Sequence, residues 1–192
     1  MNERIMRKGR LKMNKIHVYI AVSLLLGIGI YVASSQTATA PVWINDEDVQ
    51  ALVKAEKLHL ITHTIANDLP EPFAIILYES SDKMGTGIVT TKNDKLQFQK
   101  EIETNRDKIS TVKHLGRTTG YPYTAVVVND QSLLQPSNIL SVQLANGYTE
   151  KISLAHTNAH VFIDKEHPNS YTALTQVQIK NSSGKSLYAY ND

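Results

Sequence analysis

The chain contains no cysteine among its 192 residues. It can therefore form no disulfide bridge, no thiolate metal site, no cysteine nucleophile and no acylated cysteine of the lipoprotein type. If the chain is exported, packing alone must stabilise its folded part. Export without disulfide bridges favours a bacterial source.

The sequence also lacks the motifs of several common enzyme classes. It has no G-x-S-x-G and no G-x-G-x-x-G, and no K-T-G follows its two S-x-x-K matches at residues 80–83 and 182–185. Residues 184–186 resemble the end of a phosphate-binding loop, but Ile179 stands where the first glycine belongs. We therefore predict no catalytic residues and no cofactor, and we favour a protein that is not an enzyme.

Positive charge is scarce outside residues 1–15. Those residues hold six of the 20 lysines and arginines and one acid, Glu3. Residues 16–192 hold 14 such cations and 17 acids, a net charge near −3. Nucleic acids and anionic lipid surfaces both attract a concentrated basic face. We therefore expect no nucleic-acid partner.

One long apolar run interrupts the polar sequence. Residues 16–32 are 17 residues without a charge. As a helix they would span roughly 25 Å, against a hydrocarbon core of about 30 Å, and small residues after them can extend the helix. The basic flank before the run places the N-terminus in the cytoplasm. We predict a cytoplasmic tail at residues 1–15, a transmembrane anchor at 16–34, a linker at 35–42 and an extracytoplasmic domain at 43–192.

A cleaved signal peptide is the alternative for the same segment. Ala38-Thr39-Ala40 is an A-x-A cleavage site, although Pro41 directly after it disfavours cleavage. The apolar run is also longer than the roughly 7–15 residues of a usual signal-peptide core. We expect an uncleaved single-pass membrane protein and keep a secreted form as the alternative.

A helix is predicted at the start of the outer domain, over residues 46–66. Asn45 is a good N-cap and three acids follow it in the first turn. Ile44 and Val49 have the spacing of a hydrophobic staple. An apolar stripe continues through the segment, and Pro70 lies beyond its end.

The rest of the domain alternates short apolar runs with turn signals. Residues 73–78 and 123–128 are continuous apolar runs, which predicts strands buried on both faces. Residues 80–87 and 116–120 are predicted loops, and residues 107–115 a short helix. Further strands are predicted at residues 88–91, 96–102, 139–144, 148–154, 159–164, 173–180 and 185–190, with turns at Asn93-Asp94, Asn146-Gly147 and residues 182–184.

One helix followed by eight or nine strands indicates an α+β fold. In this fold an amphipathic helix packs on a mostly antiparallel β-sheet or on a two-sheet domain. A β-sandwich with a peripheral helix is the close alternative.

Two histidine pairs have a spacing that could bind a metal ion. His59 and His63 are four residues apart on the predicted helix, and His156 and His160 have the same spacing. Together they could give zinc four nitrogen ligands, or three ligands and an open water position. The HLITH segment lacks the glutamate of a metalloprotease helix, so ordinary solvated histidines are the competing interpretation.

The segment GRTTGYPY, residues 116–123, is the best candidate for a binding loop. It combines a cation, two hydroxyls and two aromatic rings beside a predicted buried strand. The candidate residues are Arg117, Thr118, Thr119, Tyr121 and Tyr123. Arginine and tyrosine often anchor interfaces, although glycine and proline also shape ordinary loops.

These features predict a membrane-anchored extracytoplasmic domain that binds an envelope protein or a cell-wall component. A small exported metal-dependent hydrolase built on the histidines is one alternative. An inhibitor or immunity-type protein, secreted or anchored, is the other. No motif in the sequence decides among the three.

Overall fold

One α-helix and eleven β-strands form the part of the chain that the computed structural model describes, residues 43–106, 109–168 and 173–191. The helix α1 spans Asp46–Ala55. The strands are β1 His59–Ala66, β2 Phe73–Ser80, β3 Lys83–Lys92, β4 Lys95–Asn105, β5 Val112–Arg117, β6 Tyr123–Val128, β7 Ile139–Leu144, β8 Thr149–Ser153, β9 Ala159–Ile163, β10 Leu174–Lys180 and β11 Ser186–Asn191. A short 3-10 helix at Gln131–Leu133 follows β6.

The strands form three antiparallel sheets. Sheet A has the order β1-β2-β3-β4, sheet B the order β5-β6-β9, and sheet C the order β11-β10-β7-β8. The predicted α+β fold with one helix and mostly antiparallel strands is therefore confirmed. The expectation of one or two sheets is wrong, because sheet B packs between the other two.

The helix and the three sheets are stacked in four layers. One apolar cluster lies between each two adjacent layers. Helix α1 packs on one face of sheet A through Val49 and Val53. The other face of sheet A packs on sheet B, where Ile75, Ala125 and Val161 belong to one apolar cluster. The second face of sheet B packs on sheet C. Most of the core therefore lies on the two faces of sheet B.

The strands β2 and β6 are central in their sheets and are covered on both faces. In β2, Ala74 and Ile76 face the helix while Ile75 and Leu77 face sheet B. All six residues of β6 and the first six of β2 are buried. A continuous apolar run predicts such two-sided burial, and the prediction is confirmed for both strands.

The N-terminus of α1 has the predicted cap. The Asn45 side chain accepts a hydrogen bond from the Asp48 N–H at 2.8 Å, and the Asp48 carboxylate accepts one from the Asn45 N–H at 3.4 Å. This reciprocal pair is a capping box. Ile44 and Val49 are both buried in the cluster between α1 and sheet A, as the predicted staple requires.

The predicted helix over residues 46–66 is wrong beyond Ala55. A Schellman motif ends α1: the Leu58 N–H donates to the Val53 carbonyl at 3.0 Å, and Lys57 adopts the left-handed conformation with φ of 56°. The segment HLITHTIA then forms β1. It is rich in β-branched residues, which favour a strand, while its apolar positions fit a helical stripe as well.

Two predicted loops and one predicted helix also need correction. The chain turns at Ser81-Asp82, so most of the predicted loop at residues 80–87 belongs to β3. Gly116 and Arg117 end β5 instead of opening a loop. Residues 112–115 of the predicted helix lie in β5, and residues 107 and 108 lie outside the described residues.

The predicted hairpin turns are confirmed. Asn93 and Asp94 have φ of 51° and 57°, the conformation that a two-residue type I′ turn needs at both positions. Gly147 has φ of 91°, and its N–H donates to the Leu144 carbonyl at 3.0 Å. The turn at residues 182–184 closes with a 2.9 Å bond from the Gly184 N–H to the Asn181 carbonyl.

The predicted anchor at residues 16–34 and linker at 35–42 lie outside the described residues. Within residues 43–106, 109–168 and 173–191, no helix is long and apolar enough to span a membrane.

Candidate functional site

A cleft of about 300 Å³ opens between sheet B and sheet C. Sheet B contributes the end of β5, the turn after it and the start of β6. Sheet C contributes residues of β7, β10 and β11. The lining includes Arg117, Thr118, Thr124, Leu144, Leu174 and Tyr190. This volume lies at the lower end of the range for small-molecule sites.

Three of the five predicted binding-loop residues line this cleft, namely Arg117, Thr118 and Tyr123. Tyr121 instead stacks on Phe73, with ring centroids 5.0 Å apart, and packs against the cluster between sheets A and B. Thr119 is exposed in the turn. The structure therefore divides the predicted set into three cleft residues, one packing residue and one surface residue.

Arg117 is held by two neighbours on the side of sheet A. Its Nη1 lies 2.8 Å from Glu101 Oε2 on β4, and its guanidinium lies 5.8 Å from the centre of the Tyr123 ring. Among the described residues, its buried Nε–H has no hydrogen-bond acceptor. The guanidinium therefore has a compensated charge and at least one N–H donor that the described residues leave unused.

Tyr123 borders the cleft, while its side chain packs in the cluster between sheets A and B. It is buried, and its hydroxyl lies 2.7 Å from the Thr86 hydroxyl on β3. Burial raises the pKa of Tyr123 to about 12, and the hydrogen bond with Thr86 moderates this rise. The phenol is therefore neutral at physiological pH, and its contact with Thr86 ties sheet B to sheet A.

Sheet C supplies the apolar side of the cleft. Leu144, Leu174 and Tyr190 belong to the apolar cluster between sheets B and C. The Tyr190 ring lies 4.5 Å from the His114 ring, centre to centre. Gly116 pairs with Thr124 on β6, and the two strands approach so closely there that a Cβ at Gly116 would lie 2.4 Å from the Tyr123 carbonyl oxygen. Residues of β7, β10 and β11 were outside the predicted site because no local pattern marks which strands will face β5.

The four predicted metal-ligand histidines are distributed over β1, β9 and the loop before β9. A β-bulge between Leu60 and Thr62 alters the alternation of side chains along β1. His59 pairs with Glu79 and His63 with Ile76, which are three residues apart on β2. Because faces alternate along a strand, His59 and His63 lie on opposite faces of sheet A.

The contacts of His63 and His160 place these two residues on different sheets. His63 Nε2 lies 2.7 Å from Asp46 Oδ1 on the helix side of sheet A. His160 Nε2 lies 3.7 Å from Glu150 Oε1 on the sheet C side of sheet B. Within the described part of the chain, no group of three or more histidine, aspartate or glutamate side chains is arranged to hold a metal ion. The metal-site hypothesis gains no support from this geometry.

Asp164, which the sequence patterns do not single out, organises a second polar cluster after β9. Its side chain is 0% exposed. It accepts hydrogen bonds from the Asn146 amide, from His167 Nδ1 and from the backbone N–H groups of Glu166 and His167. Burial raises the pKa of Asp164, but these hydrogen bonds outweigh burial and hold it below its usual range.

No protein family, curated protein or solved structure matches this chain. The chemistry of the cleft is therefore the basis for a functional proposal. Its described lining offers hydrogen-bond donors, hydroxyls and ring surfaces, which are the components of a small-molecule binding site.

Proposed function

We propose that the chain is a membrane-anchored extracytoplasmic binding domain whose ligand, part of an envelope protein or of the cell wall, occupies the cleft between sheets B and C. The convergence of Arg117, Thr118 and Tyr123 with Leu174 and Tyr190 on that cleft carries the proposal. These residue types supply the polar anchors and the apolar body that interface sites share. The proposed role is binding without turnover.

The location outside the membrane rests on the sequence. Residues 16–32 are uncharged and follow a strongly basic segment, which favours a single span with a cytoplasmic N-terminus. Secretion after cleavage near residues 38–40 is the alternative for the same segment. Both put the β-sheets outside the cell.

The absence of cysteine makes this orientation directly measurable. Asn2→Cys places a thiol in the proposed cytoplasmic tail, and Ser183→Cys places one in the exposed turn between β10 and β11. On spheroplasts, a membrane-impermeant maleimide should label Ser183→Cys alone, and after lysis it should label both variants. Labelling of Asn2→Cys before lysis would contradict the orientation, and a shortened chain in the medium would show secretion.

The binding role is tested by cross-linking from the cleft in living cells. Thr118→Cys carries a benzophenone maleimide at the cleft, and Ser183→Cys carries the same group at a distant turn. We expect one defined adduct from Thr118→Cys that Ser183→Cys does not give. Absence of an adduct, or the same adducts from both positions, would contradict a ligand in this cleft. An adduct with a secreted protein would favour the inhibitor-type alternative.

A further inference from the structure

The charge balance of the cleft bears on the chemistry of its ligand. Arg117 is the one lysine or arginine among the described lining residues, and Glu101 lies 2.8 Å from its Nη1. An anion approaching Arg117 would therefore also meet the carboxylate of Glu101. Like charges brought together in this way cost binding energy, so the pair discriminates against acids. The electrostatics favour a neutral ligand.

The hydrogen-bonding groups of the cleft suit a ligand that both donates and accepts. The Arg117 side chain is 27% exposed, so part of this donor-rich guanidinium side chain is open to a ligand in the cleft. Thr118 and Thr124 contribute hydroxyls, each of which can donate one hydrogen bond and accept two. A ligand rich in hydroxyl or amide groups can satisfy such a set without carrying charge.

The opposite side of the cleft suits a flat apolar surface. Tyr190, Leu144 and Leu174 line the same cleft and pack in the apolar cluster between sheets B and C. A ligand that fits must therefore be polar at its edge and apolar on its face. A sugar ring has this character, with hydroxyls around its rim and C–H bonds on its faces. A volume of about 300 Å³ has room for a small saccharide and not for a long chain.

We propose that the cleft binds a short neutral saccharide, one or two rings long, with one ring face on Tyr190 and its rim hydroxyls on Arg117 and Thr118. This inference rests on the proposed function, because it names the ligand class of the same cleft. The saccharide is either a free sugar or the exposed end of a cell-wall glycan.

Binding is measured on the full chain in lipid nanodiscs, which avoids detergents that carry sugars. The probes are cellobiose, maltose and N,N′-diacetylchitobiose, with cellobiouronic acid as a charged partner that differs from cellobiose by one carboxylate. Saturation-transfer NMR should show saturable binding of at least one neutral disaccharide and weaker binding of the acid. If no neutral disaccharide binds, or the acid binds as tightly as the best of them, the proposal is overturned.

Substitutions in the cleft assign the contacts. Tyr190→Ala should weaken disaccharide binding about tenfold while Tyr190→Phe retains it, since the ring and not the hydroxyl makes the contact. Arg117→Lys should weaken binding at least about fivefold, because lysine can keep the ion pair but lacks the planar set of donors. Arg106→Lys is the matched control, since Arg106 makes an equivalent ion pair with Glu79 at 2.9 Å and lies outside this cleft.

A further variant tests the charge argument itself. Glu101→Gln leaves Arg117 without its counter-charge, so the preference for cellobiose over cellobiouronic acid should shrink or reverse. An unchanged preference in a folded Glu101→Gln protein would overturn the electrostatic part of the inference. Circular dichroism checks that each variant is folded.

Two outcomes separate this inference from the proposed function. If Thr118→Cys still yields its adduct while no neutral disaccharide binds, the binding role stands and the saccharide assignment falls. If both fail, the cleft is not a binding site. Isolated cell wall that retains the protein, and releases it when the bound disaccharide is added, would identify the glycan and not a free sugar as the source.

Discussion

At the scale of single residues, Asp164 shows how a charge is kept inside this protein. A buried carboxylate is costly unless hydrogen bonds replace its hydration. Asp164 accepts such bonds from Asn146, His167 and two backbone N–H groups. It thereby fixes the chain after β9 against the turn between β7 and β8.

Replacement of Asp164 should therefore affect both stability and its pH dependence. Asp164→Asn should lower the free energy of unfolding at neutral pH by about 2–4 kcal/mol, because several buried donors lose a charged acceptor. The folded-state pKa lies below the unfolded value of about 3.9, so the stabilisation is complete above that pH and is lost as the pH falls through the folded pKa. Urea titrations at several pH values should show a flatter acid dependence in Asp164→Asn.

Glu166→Gln is the matched control for this prediction. Glu166 is exposed, and only its backbone N–H contacts Asp164. Its substitution should leave the acid dependence close to that of the wild type. The explanation would be wrong if Glu166→Gln and Asp164→Asn changed the pH dependence equally.

At the scale of elements, β3 depends on two glycines beneath aromatic rings. A Cβ at Gly85 would lie 2.8 Å from the Tyr78 ring, and a Cβ at Gly87 would lie 2.1 Å from the Phe98 ring. The Tyr78 and Phe98 rings contact each other edge to face, with their centroids 5.9 Å apart. Both pack in the cluster between α1 and sheet A. The two glycines therefore leave space for the Tyr78 and Phe98 rings, which pack in the cluster between sheet A and α1.

A double-mutant cycle tests this role of β3. Gly87→Ala should destabilise the protein by about 1–3 kcal/mol, because the Phe98 ring must move out of a packed position. In the Phe98→Ala background the same change should cost clearly less, since the obstructing ring is gone. Urea unfolding of the four proteins gives the coupling energy. Equal costs in both backgrounds would show that the ring does not explain the glycine.

At the scale of the whole molecule, sheet B joins the layers. Sheet A and sheet C each pack on one of its faces, and β6 has no residue exposed to solvent. The hydroxyl pair of Thr86 and Tyr123 and the ion pair of Glu101 and Arg117 also cross from sheet A to sheet B. Sheet B can therefore open only if contacts to both neighbours are lost.

Hydrogen exchange should reveal this cooperativity. Amides of β2 and β6 are expected to exchange most slowly and with similar free energies of opening, because both strands are central and covered on two faces. Amides of the sheet-edge strands β4, β8 and β11 should exchange faster. Exchange of β6 through an opening much less costly than that of β2 would contradict one cooperative core, since sheets B and C would then open without sheet A.

Local patterns predicted some elements well and others poorly. The runs FAIILY and YTAVVV predict β2 and β6, and Asn45 predicts the start of α1. Both signals are local, because an apolar run and a helix N-cap each depend on residues a few positions apart. The end of α1 has no such local signal, because Lys57 takes the left-handed position that glycine usually occupies. Gly85 and Gly87 favour a loop when the sequence is read locally, since glycine is common in turns. The Tyr78 and Phe98 rings that require these glycines belong to other strands.

Local sequence patterns likewise predict only part of the candidate site. Arg117, Thr118 and Tyr123 could be selected from one short segment by their residue types. Leu174 and Tyr190 could not, because nothing near them in the chain indicates that sheet C would cover β5 and β6. The spacing of His59 and His63 predicts that they share one face of a helix. They lie instead on opposite faces of sheet A, because β1 contains one bulge between them.

The sequence by itself determined the start of α1, the hairpin turns and the two strands buried on both faces. Turn geometry and hydrophobic period depend on residues a few positions apart, so they can be read locally. Only the tertiary structure decided that β9 pairs with β6, that sheet B lies between sheets A and C, and that a cleft opens beside Arg117. Those features arise from pairing and packing between segments far apart in the chain, which many local patterns satisfy equally well.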